Sequence, residues 1–511
     1  MEVTRDGVPV VVAPEGAYVL EAERFHARGP GLPHGARVAV CEGRVAVTSR
    51  DELHVYTPPG LGDAARVALG GAGAPGPSVA TAVDASAAEG RVHVVVGLAC
   101  GEALYASMAT EGDGNLGPWK RYTCSPAAGA AWADRRGRQG GSRTGVTCVG
   151  IRPRSRGRVF ASGHADGGLR LFDRSRDGGE GSKGAVVAMP PSEDEVASTP
   201  AVDSSGGETS APPLAPERWG EFRVERAAAG WTGNPCVRVF MAPDSSDEKG
   251  AAQGRGVTCL AWSAGGASLA CGCQDGAVRV LLVGPGGGGV ASGTPLNPVT
   301  LVCVLRPQFG YPMCCAFSPD GQYLATGGQD DTVTLWRVGD DAAGGVPEPV
   351  ALAEGHASWV THIAWDPWAV AAGRNGRADG GAARPAAVDE DLVEDGEESR
   401  AETAVYRLAS VGEDAKLLLW EFKSATLPCA TGALWAAGKG KAAPPVREPT
   451  PLGKGSAMLV MGGPRAALPA LAPVAGTPVP GEPLCDLAVC SDGLLTADFG
   501  GRVKLWRRPT S

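Results

Sequence analysis

No stretch of this chain is apolar for the roughly 20 residues that a membrane-spanning helix needs, so a helical membrane anchor is not expected. The N-terminus, Met1-Glu2-Val3-Thr4-Arg5-Asp6, lacks the basic-then-apolar layout of a secretory signal. An excess of cations is missing too: 47 Lys plus Arg stand against 56 Asp plus Glu, a formal net charge of −9. That balance argues against a nucleic-acid binder, whose affinity comes from clustered Lys and Arg. The basic pieces Arg135-Arg136-Gly137-Arg138 and Arg152-Pro153-Arg154 are short and read as solvated loop charges. Paired zinc ligands are absent, although there are 14 cysteines. Cys271 and Cys273 form a lone C-x-C and Cys314-Cys315 are adjacent, and both pairs lie in strand-like runs, so they read as buried apolar thiols. The Gly-rich run from Gly284 to Gly289 is not followed by the Lys-Ser/Thr of a phosphate-binding loop and reads as a linker. No cofactor and no metal are expected. Free thiols without a signal place the chain in the cytoplasm or the nucleus.

What is present is a recurring unit. A β-rich run is followed by a turn, often Asp-Gly, and then by an alternating strand that ends in a large apolar residue. The turn residues are Asp166, Asp275, Asp330 and Asp414; six positions later stand Phe172, Leu281, Trp336 and Trp420. Four positions before each turn residue is a small one: Ser162, Cys271, Thr326 and Ser410. A fifth unit keeps the frame with Thr496, Gly500 and Trp506 but has lost the acid. Two weaker units lie upstream, at Ala46, Arg50 and Tyr56 and at Val96, Cys100 and Ala106.

The strong units also carry an earlier strand and turn, as in Val257-Thr258-Cys259-Leu260-Ala261-Trp262 and in Cys314-Cys315-Ala316-Phe317-Ser318-Pro319-Asp320-Gly321. Pro-Asp-Gly makes a turn because Pro presets φ and Gly accepts positive φ. Strand, turn, strand, turn, strand is one blade of a β-propeller. The expected fold is therefore all-β, a WD-repeat propeller of seven blades, with six or eight also compatible with the pattern. The expected layout is an N-terminal segment over 1–33 and one propeller over 34–511. Long polar insertions at about 174–225, 369–404 and 421–480 read as mostly disordered loops.

His356 stands just before the sixth unit and can join Ser410, Asp414 and Trp420 in one hydrogen-bonded network. A His and an Asp together also suggest acid–base catalysis. The Asp recurs in four units, however, and an enzyme needs one site, so the structural role is preferred and no catalytic residue is expected.

Several segments narrow the reading. Val146-Thr147-Cys148-Val149, Phe160-Ala161-Ser162-Gly163-His164, Asn234-Pro235, Phe309-Gly310 before Cys314, Gly327-Gly328-Gln329-Asp330-Asp331, Gly355-His356-Ala357-Ser358-Trp359-Val360 and the run from Tyr406 to Asp414 together resemble the CreC family of WD-repeat proteins. That family includes the fungal catabolite-repression protein CreC and animal WD-repeat protein 20. The resemblance runs from about residue 34 to the C-terminus, with Tyr311 where the family usually has a second glycine.

Members partner a ubiquitin-specific protease and raise its activity, often beside a second WD-repeat protein. The resemblance thus implies a non-catalytic deubiquitinase subunit acting by population shift. Phe309 and Tyr311 precede the fifth blade's first strand and Trp359 precedes the sixth's, so the three aromatics make a candidate anchor on one face. The bland alternative has Trp359 packed between blades. Rival functions are a substrate receptor for a cullin-type ubiquitin ligase and a generic assembly scaffold. Such receptors usually carry Trp-Asp-x-Arg, whereas Trp336-Arg337 and Trp506-Arg507 lack the intervening acid.

Overall fold

A computed structural model describes residues 2–3, 8–26, 35–49, 51–58, 60–69, 79–110, 116–123, 145–176, 222–226, 236–241, 256–284, 299–307, 309–338, 347–368, 405–427, 450–451, 458–462 and 468–509. The strands form seven antiparallel-based sheets, one for each unit read from the sequence. Blade 1 comprises Arg37–Cys41, Arg44–Ser49, Glu52–Thr57 and Gly62–Ala68; blade 2 comprises Ala80–Ala88, Arg91–Leu98, Glu102–Ala109 and Lys120–Thr123. Blade 3 is built on Val146–Ile151, Val159–His164, Gly168–Asp173 and Val237–Met241, with Phe222–Arg226 added outside. Blade 4 has Val257–Trp262, Ser268–Cys273, Val278–Val283 and Val299–Arg306. Blade 5 has Pro312–Phe317, Tyr323–Gly328, Thr332–Arg337 and Glu348–Glu354. Blade 6 has Val360–Trp365, Val405–Gly412, Lys416–Lys423 and Ala475–Pro478. Blade 7 has Leu484–Val489, Gly493–Asp498 and Arg502–Arg507, followed by Gly16–Phe25 from the other end of the chain.

The first strand of each blade packs against the first strand of the next, and that of blade 7 against that of blade 1, so the ring is closed. The weak pair of sequence units are thus blades 1 and 2, with Cys100 in a turn between paired strands. Arg50 lies outside the described residues. Apolar side chains gather in clusters that each draw on two neighbouring blades. Phe160 and Phe172 meet Val95 and Tyr105 between blades 2 and 3, for example, and Trp336 meets Cys303 and Leu305 between blades 4 and 5. The core is therefore a ring of inter-blade layers. This suits alternating strands, whose two faces each meet a neighbour.

A second device joins the blades. In six of the first strands one residue is bulged out of the ladder, at Thr81, Thr147, Thr258, Met313, Thr361 and Cys485. A β-bulge re-aims the side chain it carries, and in five of the six the aim is the next blade. Thr81 Oγ1 donates to the Val146 carbonyl (2.6 Å), Thr147 to Val257 (2.6 Å), Thr258 to Pro312 (2.6 Å) and Thr361 to Leu484 (2.9 Å). Cys485 Sγ donates to the Ala36 carbonyl (3.1 Å) and carries the pattern across the closing seam. The motif Val-Thr-Cys in strand one had been visible, but nothing in it announced a latch.

Two boundaries differ from the expectation. The segment 1–33 is not separate from the propeller, since Gly16–Phe25 pairs antiparallel with Arg502–Arg507 and Pro9–Ala13 and Glu2–Val3 extend the same sheet. Val11 and Tyr18 are fully buried against Leu417, Leu487 and Trp506. The reason is ring closure: a propeller whose last blade takes its outer strand from the N-terminus is sealed by a sheet ladder. Within the stretch 421–480, several described segments are strand rather than loop. Met458–Met461 pairs parallel with Val299–Arg306 of blade 4, Ala470–Leu471 pairs parallel with Glu348–Glu354 of blade 5, and Ala475–Pro478 completes blade 6. A few apolar anchors suffice for this strap, with Val460 2% exposed and Leu459 8%. Of the stretch 174–225, Arg174–Arg176 is a 3-10 turn and Phe222–Arg226 contributes strand; residues 177–221 and 369–404 lie outside the described residues, as do Asn234-Pro235 and Arg135 to Arg138.

Candidate partner-binding face

The turn between the second and third strands of every blade and the entry into every first strand lie at one end of the ring, because the strands run alternately up and down. At this end the Asp of each strong unit does local work. The Asp166, Asp275, Asp330 and Asp414 carboxylates accept the amides of Gly168 (2.9 Å), Ala277 (3.0 Å), Thr332 (3.2 Å) and Lys416 (3.2 Å). The residue between has left-handed φ: Gly167 at 82°, Gly276 at 83°, Asp331 at 62° and Ala415 at 56°. An Asp side chain that caps the turn stabilises this conformation, and Gly at the next position removes its steric cost. Blade 7 lacks the acid at Gly500, and Asp498 takes over by accepting the Arg502 amide (2.8 Å).

The four-residue network occurs in blade 6. Trp420 Nε1 donates to Ser410 Oγ (2.8 Å), Ser410 Oγ meets His356 Nε2 (2.8 Å), and His356 Nδ1 meets Asp414 Oδ1 (3.0 Å). One tautomer satisfies all three contacts: the serine donates to Nε2 and Nδ1–H donates to the carboxylate. Burial pushes the Asp414 carboxyl up, but hydrogen bonds from His356 and the Ala357 amide outweigh it, and the group titrates below its usual range. The Ser–His–Asp order is that of a hydrolase triad, yet Ser410 is 0% exposed and its oxygen accepts the Trp420 indole. No substrate carbonyl reaches it.

The other units keep parts of the network. Trp336 and Trp506 donate to Thr326 (2.9 Å) and Thr496 (3.0 Å). In blades 3 and 4 the Asp instead pairs with an arginine four residues on: Asp166 with Arg170 (3.1 Å), and Asp275 with the fully buried Arg279 (2.6 Å). Ser162 meets His164 Nε2 (2.8 Å). Cys271, Cys273, Cys314 and Cys315 are buried, and burial pushes the Cys273 thiol up to about 12.

The three candidate anchors stand on the entry segments at this same end. Phe309 is 70% exposed, Trp359 is 38% exposed and Tyr311 is half-buried. The backbones of Tyr311 and Trp359 are hydrogen-bonded to the turns beside them. The Tyr311 amide donates to Gln329 Oε1 and the Gln329 amide to the Tyr311 carbonyl (both 3.3 Å), while Arg306 reaches the Asp275 carbonyl (2.5 Å). Glu413 donates its amide to the Trp359 carbonyl (2.9 Å). Large aromatic side chains exposed to water are the residue type that interface hot spots use. A fourth had no sequence signal because its strand was not recognised. Phe25, 65% exposed, sits at this end of blade 7, with the Arg502 guanidinium 5.6 Å from its ring.

Residues 249–280 and 300–337 match the family model described as WD domain, G-beta repeat. The fold is a WD-repeat β-propeller. The UBP9-binding protein bun62 of Schizosaccharomyces pombe (strain 972 / ATCC 24843) is 25% identical over 226 residues, covering 40% of this chain and 34% of the yeast protein. The matched part thus spans about a third of that relative's length. A chain from a crystal structure of the mitotic checkpoint complex superposes with a TM-score of 0.46 at 14% identity, covering 95% of this chain and 94% of that chain.

Proposed function

We propose that this WD-repeat propeller is a non-catalytic scaffold of the CreC type that binds a ubiquitin-specific protease and raises its activity. The observation that carries the reading is the pair Phe309 and Trp359, both exposed on the entry segments of consecutive blades. The name of the yeast relative, a UBP9-binding protein, points to the same class of partner. The propeller would act allosterically, by binding the active conformation of the protease better than the inactive one. A second WD-repeat protein in the same complex, and a cytoplasmic or nuclear setting, complete the proposal.

The test is hydrolysis of a fluorogenic ubiquitin substrate by the host's ubiquitin-specific protease, with and without this protein. Wild type is expected to stimulate. The double variant Phe309→Ala/Trp359→Ala is expected to weaken binding about tenfold or more, since aromatic hot spots cost on the order of 2 kcal/mol or above when truncated. No binding and no stimulation by wild type would overturn the reading. Capture of a cullin adaptor in its place would favour the ligase-receptor alternative.

A further inference from the structure

The opposite end of the ring carries a feature that the net charge of −9 conceals. The turn between the first two strands of blade 3 holds Arg152, Arg154, Arg156 and Arg158, and the end of its third strand holds Arg174 and Arg176. Arg91 joins them from the start of the second strand of blade 2. Arg91, Arg154 and Arg156 are exposed, whereas Arg158, Arg174 and Arg176 are half-buried. Of these arginines the sequence marks only Arg152 and Arg154 as a basic piece; the fold adds arginines from a second turn and from a neighbouring blade.

The turn is braced rather than loose. Arg152 is buried and donates to the carbonyls of Gly266 (2.6 Å), Val283 (3.1 Å) and Gly284 (3.1 Å), which anchors the turn to blade 4. Ser155 Oγ donates to the Arg152 carbonyl (2.7 Å) and accepts the Val159 amide (3.2 Å). Arg154 and Arg156 have left-handed φ of 58° and 55°, a conformation that costs a non-glycine residue energy. The Arg174 guanidinium lies 3.6 Å over the Tyr105 ring and donates to the Gly157 carbonyl (3.1 Å).

Two carboxylates among the described residues meet these arginines. Asp173 is committed to Arg158 (2.9 Å), and Glu89 meets Arg156 (2.8 Å) in a pair that is largely in water at both ends. An ion pair so exposed is readily exchanged. The local field is felt by His93, whose protonation is suppressed first by burial and then by Arg174 and Arg91.

We propose that this arginine surface of blades 2 and 3 binds an acidic peptide segment of a partner protein. Planar guanidinium forks on a braced backbone suit carboxylates, which they hold bidentately. The patch spans one turn and one strand end of blade 3 together with Arg91 of blade 2, and beyond about 8 Å at physiological salt the acidic remainder of the chain is screened. A long polyphosphate backbone would meet that acidic remainder instead, so a nucleic acid fits less well. The surface lies at the other end of the ring from Phe309 and Trp359, so occupancy of one leaves the other free.

Fluorescence anisotropy of a labelled oligoglutamate peptide titrated with the full-length chain tests this. Wild type is expected to bind, and Arg154→Glu/Arg156→Glu to bind about tenfold more weakly or worse; protease binding is unchanged in that variant. The control Arg66→Glu/Arg121→Glu makes the same charge change on the outer strands of blades 1 and 2 and is expected to bind like wild type. Absence of binding by wild type overturns the proposal, as does equal loss in the control, which would make the effect one of bulk charge. Equal or tighter binding of a single-stranded oligonucleotide overturns the assignment to an acidic peptide.

Discussion

Trp420 and Ser410 show how much a single buried position carries. Trp420 fills the layer between blades 5 and 6, and its indole N–H is the donor that satisfies Ser410, which in turn fixes His356 against Asp414. Trp420→Ala is expected to cost on the order of 3–5 kcal/mol, the usual range for a large buried aromatic, read as a shift of the denaturant midpoint. His26 offers a pH test. Burial, reinforced by the neighbouring His54, lowers its pKa from 6.5 to about 4 in the folded chain. Above pH 6.5 the group is neutral in both states and contributes nothing. As pH falls towards 4 the unfolded chain takes up a proton that the folded chain refuses, so stability is lost across that window, by about 3 kcal/mol in full. Unfolding at pH 7 and pH 4.5 should show a smaller difference for His26→Gln than for wild type; an unchanged difference would mean that His26 is not responsible.

For the strand elements, the informative position is the bulge. In blade 4 the extra residue Thr258 leaves the ladder and donates to the Pro312 carbonyl of blade 5. Thr258→Val keeps the shape but leaves that carbonyl without its partner, at a cost of about 1–2 kcal/mol. Amide hydrogen exchange should rise locally along Pro312–Phe317 more than in blade 1. Uniform change around the ring would argue against a junction-specific latch. The aspartate turns belong to this scale too. Asp-Gly could be read as a turn from composition, whereas Asp331 and Ala415 at left-handed φ could not. Their backbone conformation is imposed by the strands on either side.

For the ring as a whole, stability depends on the seam. Gly16–Phe25 closes blade 7, and Val11 and Tyr18 are buried there at about 2 kcal/mol per side chain. Arg508 adds a two-pronged ion pair to Asp366 of blade 6 (2.8 and 3.0 Å), and Arg407 pairs with Glu15. Removal of residues 1–26 is expected to expose the edge of Arg502–Arg507 and yield aggregated protein; a soluble, monomeric truncation with an unchanged melting temperature would contradict the closure described. By contrast, Phe309→Ala/Trp359→Ala is expected to leave the melting temperature nearly unchanged while abolishing protease stimulation.

Period and turn chemistry in the amino-acid sequence were enough to determine the fold class and the frame of the repeat, because each blade is a local antiparallel unit whose signals lie within a few tens of residues; the count of seven blades was settled by the closed ring. The aromatics Phe309, Tyr311 and Trp359 could be placed on one face for the same reason, since strand direction follows from strand count. The long-range pairings were decided only in three dimensions. The N-terminal strand on blade 7, the strap at Met458–Met461, the exposure of Phe25 and the gathering of arginines from blades 2 and 3 all join residues far apart in the chain. Their energy comes from ring closure and inter-blade burial, and neither leaves a periodic mark in the sequence.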